Sequence, residues 1–223
     1  MKALPRFLSV IAACTVLLPS LKASAEGDEL KFKVKGENPG GKGGYNGEVT
    51  IHKTSAKDSA TIKWVTGSKK DVTEGIAIKS GQVIGAGYGG KAFYALAVYH
   101  IHGAKIHGSW ALSTTPEKLG EYELKGVDFD GKCVFADGSP GSVTFTEGKD
   151  GAFKVSWDLP SGHYDGIGLR VKDSLVAVSG DPGGGFGVVA MEMGEKATNG
   201  LWTMAGMGGV GKEVWTMADG ASE

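Results

Sequence analysis

Hydrophobic and polar residues alternate at a period of two over short runs of this chain. Val49 and Ile51, Ile62 and Trp64, and Ile76 and Ile78 stand at alternate positions, with Glu48, Lys63 and Lys79 beside them. Successive side chains of a strand point to opposite faces, so the apolar pairs are expected on one shared core face and the charges in water. Runs of this kind at 48–51, 61–64, 75–79 and 93–101 predict strands. Gly, Asn, Asp and Pro clusters such as 36–41 and 180–183 separate them and predict turns. No stretch sustains a helical period. Most of the 38 glycines are therefore expected between strands, where tight turns require positive φ.

The pattern repeats. Trp64 recurs as Trp157, Ile76-Ala77-Ile78 as Ile167-Gly168-Leu169, and Val83-Ile84 as Leu175-Val176. Gly108-Ser109-Trp110 recurs as Gly200-Leu201-Trp202, Glu121 as Glu213, and Val49-Thr50-Ile51 as Val143-Thr144-Phe145, all at spacings of 91–94 residues. One order at nearly one spacing indicates duplication. The chain divides into 1–25, a first repeat over 26–126 and a second over 127–223.

Short strands with hairpin-like connections predict an all-β fold, two tandem antiparallel meanders of six or seven strands each, forming small barrels or sandwiches. The opening Phe32-Lys33-Val34 and the closing Glu213-Val214-Trp215 are apt to pair, which would remove the sheet edges. Spacing alone leaves open whether closure occurs within each copy or across the pair. An outer-membrane barrel needs alternating strands of about 9–11 residues. The runs here are nearer five before a glycine or charge intervenes, which argues against one.

The first residues differ from the rest. Lys2 and Arg6 precede an apolar run from Phe7 to Leu18, and Ala23-Ser24-Ala25 follows. That order describes a secretory signal cut after Ala25, with a periplasmic or secreted mature chain and no transmembrane helix once it is removed. Ile11-Ala12-Ala13-Cys14 also resembles a lipoprotein processing site, but the apolar run continues past Cys14. Without the signal, 21 basic residues face 25 acidic ones. So mild a charge, with no basic patch, points away from nucleic acid. Loss of Cys14 leaves Cys133 with no intramolecular disulfide partner, as a small buried hydrophobe.

Lys33-Val34-Lys35-Gly36-Glu37-Asn38-Pro39-Gly40-Gly41 and Tyr45-Asn46-Gly47-Glu48-Val49-Thr50-Ile51 resemble the start of a group of small exported proteobacterial proteins. Gly200-Leu201-Trp202-Thr203-Met204-Ala205-Gly206 and Gly211-Lys212-Glu213-Val214-Trp215 resemble their ending. The resemblance implies a shared fold and an envelope location. It carries over no catalytic residue, and the "fibronectin-binding" label of some members implies adhesion.

Several motifs touch chemistry. Gly206-Met207-Gly208-Gly209-Val210-Gly211-Lys212-Glu213 fits a phosphate loop except that Glu213 replaces the Ser or Thr for magnesium. A strand rather than a helix is expected after it, so it reads as a turn. In His100-Ile101-His102-Gly103-Ala104-Lys105-Ile106-His107, a turn at Gly103-Ala104 would pair Ile101 with Ile106 and His100 with His107. His100, His102 and His107 then share one face and form a candidate site for a divalent transition metal. Tyr99, Ile101, Ile106 and Trp110 would face the core. The second repeat carries Glu192, Gly194 and Asn199 in their place. Asp128-Phe129-Asp130-Gly131 begins like a calcium loop but continues with Lys132 and Cys133. Ser161, His163, Tyr164 and Asp165 are hydrolase residue types without an oxyanion loop. Phe186, Trp202 and Trp215 are candidate ligand-pocket residues at a barrel mouth.

With no converging acid, base and nucleophile, the expectation is a non-enzymatic exported binding protein without a resident cofactor. Its partner would be a small ligand or an extracellular macromolecule, met at barrel mouths or Gly-rich loops. A structural or adhesive surface protein and a metal-binding envelope protein are the alternatives.

Overall fold

In the computed structural model, residues 29–90, 93–126, 132–148, 150–181 and 183–218 are described. Residues 1–25, expected to be a signal, with Cys14 among them, and the 128–131 calcium-like segment lie outside them. Among the described residues, apart from one 3-10 turn at Pro39–Gly41, every regular element is a strand. The first repeat supplies β1 (Glu29–Glu37), β2 (Gly44–Lys53), β3 (Ser59–Thr66), β4 (Asp71–Ser80), β5 (Val83–Tyr88), β6 (Tyr94–His102), β7 (Lys105–Leu112) and β8 (Thr115–Lys125). The second supplies β9 (Lys132–Phe135), β10 (Ser142–Glu147), β11 (Ala152–Leu159), β12 (Gly162–Val171), β13 (Ser174–Gly180), β14 (Gly187–Met193), β15 (Thr198–Met204) and β16 (Gly211–Met217). Eight strands per repeat exceed the six or seven that the pattern suggests, because polar-rich strands such as β8 carry a weak alternation signal.

The strands close into two antiparallel barrels, and the barrels do not coincide with the repeats. One consists of β1–β5 completed by β14–β16; it is called the split barrel. The other, the inserted barrel, consists of the consecutive strands β6–β13. Each repeat therefore gives five strands to one barrel and three to the other. The expected pairing of first strand with last is present, Val34 lying opposite Trp215. Across the junctions β5 pairs with β14 and β13 with β6.

Three apolar cores result. Val34, Val49, Ile62, Trp64 and Trp215 fill the split barrel. Tyr99, Ile106, Val143, Phe145, Val155 and Trp157 fill the inserted one, with Cys133 fully buried among them. The third core lies between the barrels, built from outward-facing Ile76, Ile78, Leu96, Val98, Val176, Val178 and Val188. Ile76 and Ile78 thus leave the face expected from alternation. On β4 it is Ala77 that points into the barrel, since this strand is buried on both sides.

The glycines also differ from expectation. Only thirteen of the described glycines take positive φ, as do Asp58, Lys70 and Lys172. Many others lie inside strands, directly across from an inward aromatic ring: Gly36 from Tyr45, Gly108 from Tyr99, Gly120 from Trp110, Gly187 from Tyr88 and Gly211 from Trp202. A Cβ at any of these glycines would run into that ring. Such glycines lengthen the strands, and six strands reach nine residues or more. Strand length therefore does not separate this fold from a membrane barrel, but the outward face of β1 is unlike one. Glu29, Lys31, Lys33, Lys35 and Glu37 line the outside of β1, the reverse of an apolar lipid-facing band. No described helix is long and apolar enough to cross a membrane.

Candidate functional sites

The split barrel holds a buried acid. On β16 the inward row is Gly211, Glu213 and Trp215, and Glu213 is only 4% exposed. The Tyr45 hydroxyl donates to Glu213 Oε1 at 2.5 Å and the Trp215 indole N–H to Oε2 at 2.7 Å. The Trp64 side chain supplies a further hydrogen bond. These donors are all neutral. Burial pushes the Glu213 carboxyl above its usual range, against the pull of the three hydrogen bonds. Burial first, then the charge of Glu213, likewise raises the Tyr45 and Tyr88 phenols.

The inserted barrel solves the same problem without a charge. There the Trp157 indole N–H donates to the Tyr99 hydroxyl at 2.6 Å. Glu213 lies opposite Gly200, while the equivalent Gly108 lies opposite Tyr122. Tyr122 is thus the structural counterpart of Glu213. Glu121, its match by spacing, lies opposite Ser109 and is exposed. An irregularity in the β7–β8 register between Trp110 and Leu112 accompanies this one-residue offset.

The three candidate pocket aromatics do not share a pocket. Trp215 is fully buried in the split-barrel core. Trp202 packs at that barrel's edge, its ring N–H donating to the Glu37 carbonyl at 3.2 Å and its face meeting Tyr45 edge-on. Phe186 lies outside the barrel, in the core between the two. Phe186 packs on Gly180 and Trp202 on Gly211.

An open groove of about 1160 Å³ lies between the barrels. Thr61, Lys63, Val72 and Glu74 of β3 and β4 form one wall, and Phe93 with the Ser113–Pro116 turn forms the other. Buried Ile76 and Tyr94, with Gly89 and Gly90, complete its lining. The walls are joined where the Ser59 hydroxyl donates to the Pro116 carbonyl. Phe93 is 51% and Val72 57% exposed, so the groove presents apolar surface to water. Burial pushes the Tyr94 phenol up to about 12.

At the β6–β7 hairpin the expected register is present, Ile101 opposite Ile106 and His100 opposite His107, with Gly103 at φ 59° in the turn. Tyr99 and Ile106 are buried, Ile101 and Trp110 pack beside them, and His102 and His107 are exposed. His100 Nδ1 lies 3.0 Å from Ser174 Oγ, and Nε2 lies 3.5 Å from Asp173 Oδ2. The His102 ring stands edge-on to that of His100, centroids 4.3 Å apart. As the side chains stand, no three His, Cys, Asp or Glu groups converge as metal ligands among the described residues.

The remaining motifs resolve into surface structure. His163 bridges Asp158 (2.8 Å) and Asp165 (3.5 Å), and Ser156 donates to Asp165 at 2.6 Å. The hydrogen bond that the His163 ring donates to the Asp158 carboxylate raises His163 above its usual range. Ser161 contributes its carbonyl to the Tyr164 hydroxyl. Of the phosphate-loop-like glycines, Gly206, Gly208 and Gly209 lie in the β15–β16 turn, in which the Thr203 hydroxyl donates to the Gly209 carbonyl and the Gly209 N–H to Asp150, while Gly211 opens β16.

No protein family matches this chain, and no curated protein or solved structure is detectably similar to it. The groove and the buried acid both escape the sequence reading. Glu213 carried a signal, since it shares the phase of Trp215. The groove carried none, because its walls, at 61–74 and at 93 with 113–116, come from separate stretches of the chain that meet only on folding.

Proposed function

We propose that this chain is a non-enzymatic, exported binding protein of the bacterial envelope that takes a small amphipathic molecule in the groove between its barrels. The observation that carries the reading is the groove itself. Both barrel interiors are filled with side chains, as eight-stranded barrels can be, which moves recognition from the mouths to this cleft. Its exposed Phe93 and Val72 suit an apolar ring or chain, and Lys63, His52 and Thr61 suit oxygen or anionic groups. The Gly89-Gly90 segment accords with recognition at a Gly-rich loop. Export rests on the residues 1–25 pattern.

Native mass spectrometry of the protein taken from its own cells tests this. A bound small molecule is expected, and Phe93→Asp should lose it while remaining folded. An adduct that survives in the variant would exclude the groove. Its absence in the parent, with retention on an insoluble wall or matrix polymer, would favour the adhesive alternative.

A further inference from the structure

The histidine hairpin has a backbone suited to holding a metal, independently of the groove. His100 and His102 stand two apart on β6, about 6.6–6.8 Å along the strand and on one face. His107 lies directly across from His100 on β7, where opposed residues are about 4.5–5.5 Å apart. Three imidazoles therefore rise from a small triangle of an otherwise rigid sheet. A fourth donor comes from elsewhere. Asp173 reaches His100 from the turn between β12 and β13, with its Oδ2 3.5 Å from Nε2. Two ligands at zinc bond lengths on adjacent corners of a tetrahedron are separated by about 3.4 Å.

The His100 ring is also oriented. Ser174 is fully buried and meets Nδ1, which leaves Nε2 turned toward Asp173. Ligand histidines are held in this manner by a partner on the other ring nitrogen. The fold does not require these groups. At the corresponding place in the second repeat Glu192 makes an ordinary ion pair with Lys172 at 2.5 Å. His102 and His107 are exposed, so turning their rings onto a shared ion costs only surface rotamer changes.

We propose that His100, His102, His107 and Asp173 form a tetrahedral zinc site at the tip of the β6–β7 hairpin, with Ser174 orienting His100. Calorimetric titration of the tag-free full chain with Zn²⁺ should give one site per chain. His102→Ala and His107→Ala should each weaken it about tenfold or more, and Ser174→Ala by about tenfold. His52→Ala and His163→Ala should leave it unchanged. Co²⁺ in place of Zn²⁺ should show the intense visible bands of tetrahedral coordination, lost in Asp173→Asn. Absence of Zn²⁺ binding, equal affinity in the triple His→Ala variant, equal loss in His163→Ala, or only the pale bands of octahedral Co²⁺ would overturn the proposal.

Discussion

Glu213 is the residue at which the two barrels differ most in chemistry. A carboxyl buried among Tyr45, Trp64 and Trp215 is stabilised by three neutral donors but loses the hydration of its charge. Its pKa in the folded protein is raised, so between the unfolded and folded values the native state holds more protons than the unfolded one. Stability conferred by this group is then highest at low pH and falls as pH rises through that window. Glu213→Gln removes the titration. Its amide NH₂ can donate to the Tyr45 hydroxyl, which accepts as well as donates, while its oxygen takes the indole N–H groups. The expected result is a melting temperature above the parent's at neutral pH, with the gap closing below pH 4. A gap that does not vary with pH would show that the charge is not the cause. In the sequence, Glu213 sits between Lys212 and Val214 and looks like any solvated strand residue. Only the inward phase of Gly211 and Trp215 marks it otherwise.

At the scale of the strand, the recurring device is an inward aromatic laid over a glycine of the neighbouring strand. The ring shields backbone that would otherwise lack side-chain cover, and the missing Cβ makes room for it. Gly120 under Trp110 and Gly211 under Trp202 are the same device in the two barrels. Gly120→Ala should destabilise the protein by about 1–3 kcal/mol through overpacking, read as a lower urea midpoint at unchanged slope. Gly81→Ala is the comparison, since only its positive φ opposes a side chain and a Cβ there meets nothing; it should cost less. Equal effects at the two sites would reject the steric account. Alternation in sequence located strands well where polar residues flanked apolar ones, as at Val49 to Ile51. It erred at Ile76 and Ile78, because a strand buried on both faces carries no alternation to read.

For the whole molecule, the decisive feature is that duplication in sequence is not duplication of closed units. The inserted barrel is contiguous between β6 and β13, whereas the split barrel needs both ends of the chain. The crossings from β5 to β6 and from β13 to β14 pass close together, Gly90 approaching the Gly184 carbonyl. A fragment over residues 93–181 contains every strand of one barrel and should retain its β-sheet circular dichroism and the buried Trp157 signal. It should also self-associate, because Leu96, Val98, Val176 and Val178 lose their cover. A fragment over residues 26–126 carries five strands of one barrel and three of the other, and should not form a stable monomer. The opposite behaviour of the two fragments would contradict the exchanged closure.

The sequence by itself determined the all-β class, the duplication, the hairpin register at His100 to His107 and the turn character of the 206–209 glycines. Each of these depends on neighbours along the chain, through side-chain alternation or backbone freedom. Tertiary structure decided which strands close together, which face of β4 and β5 meets the other barrel, and where a groove opens. It also brought Asp173 and Ser174 to His100. Those contacts join residues far apart in the chain, and either way of closing the barrels satisfies the same local pattern, so only the packed molecule distinguishes them.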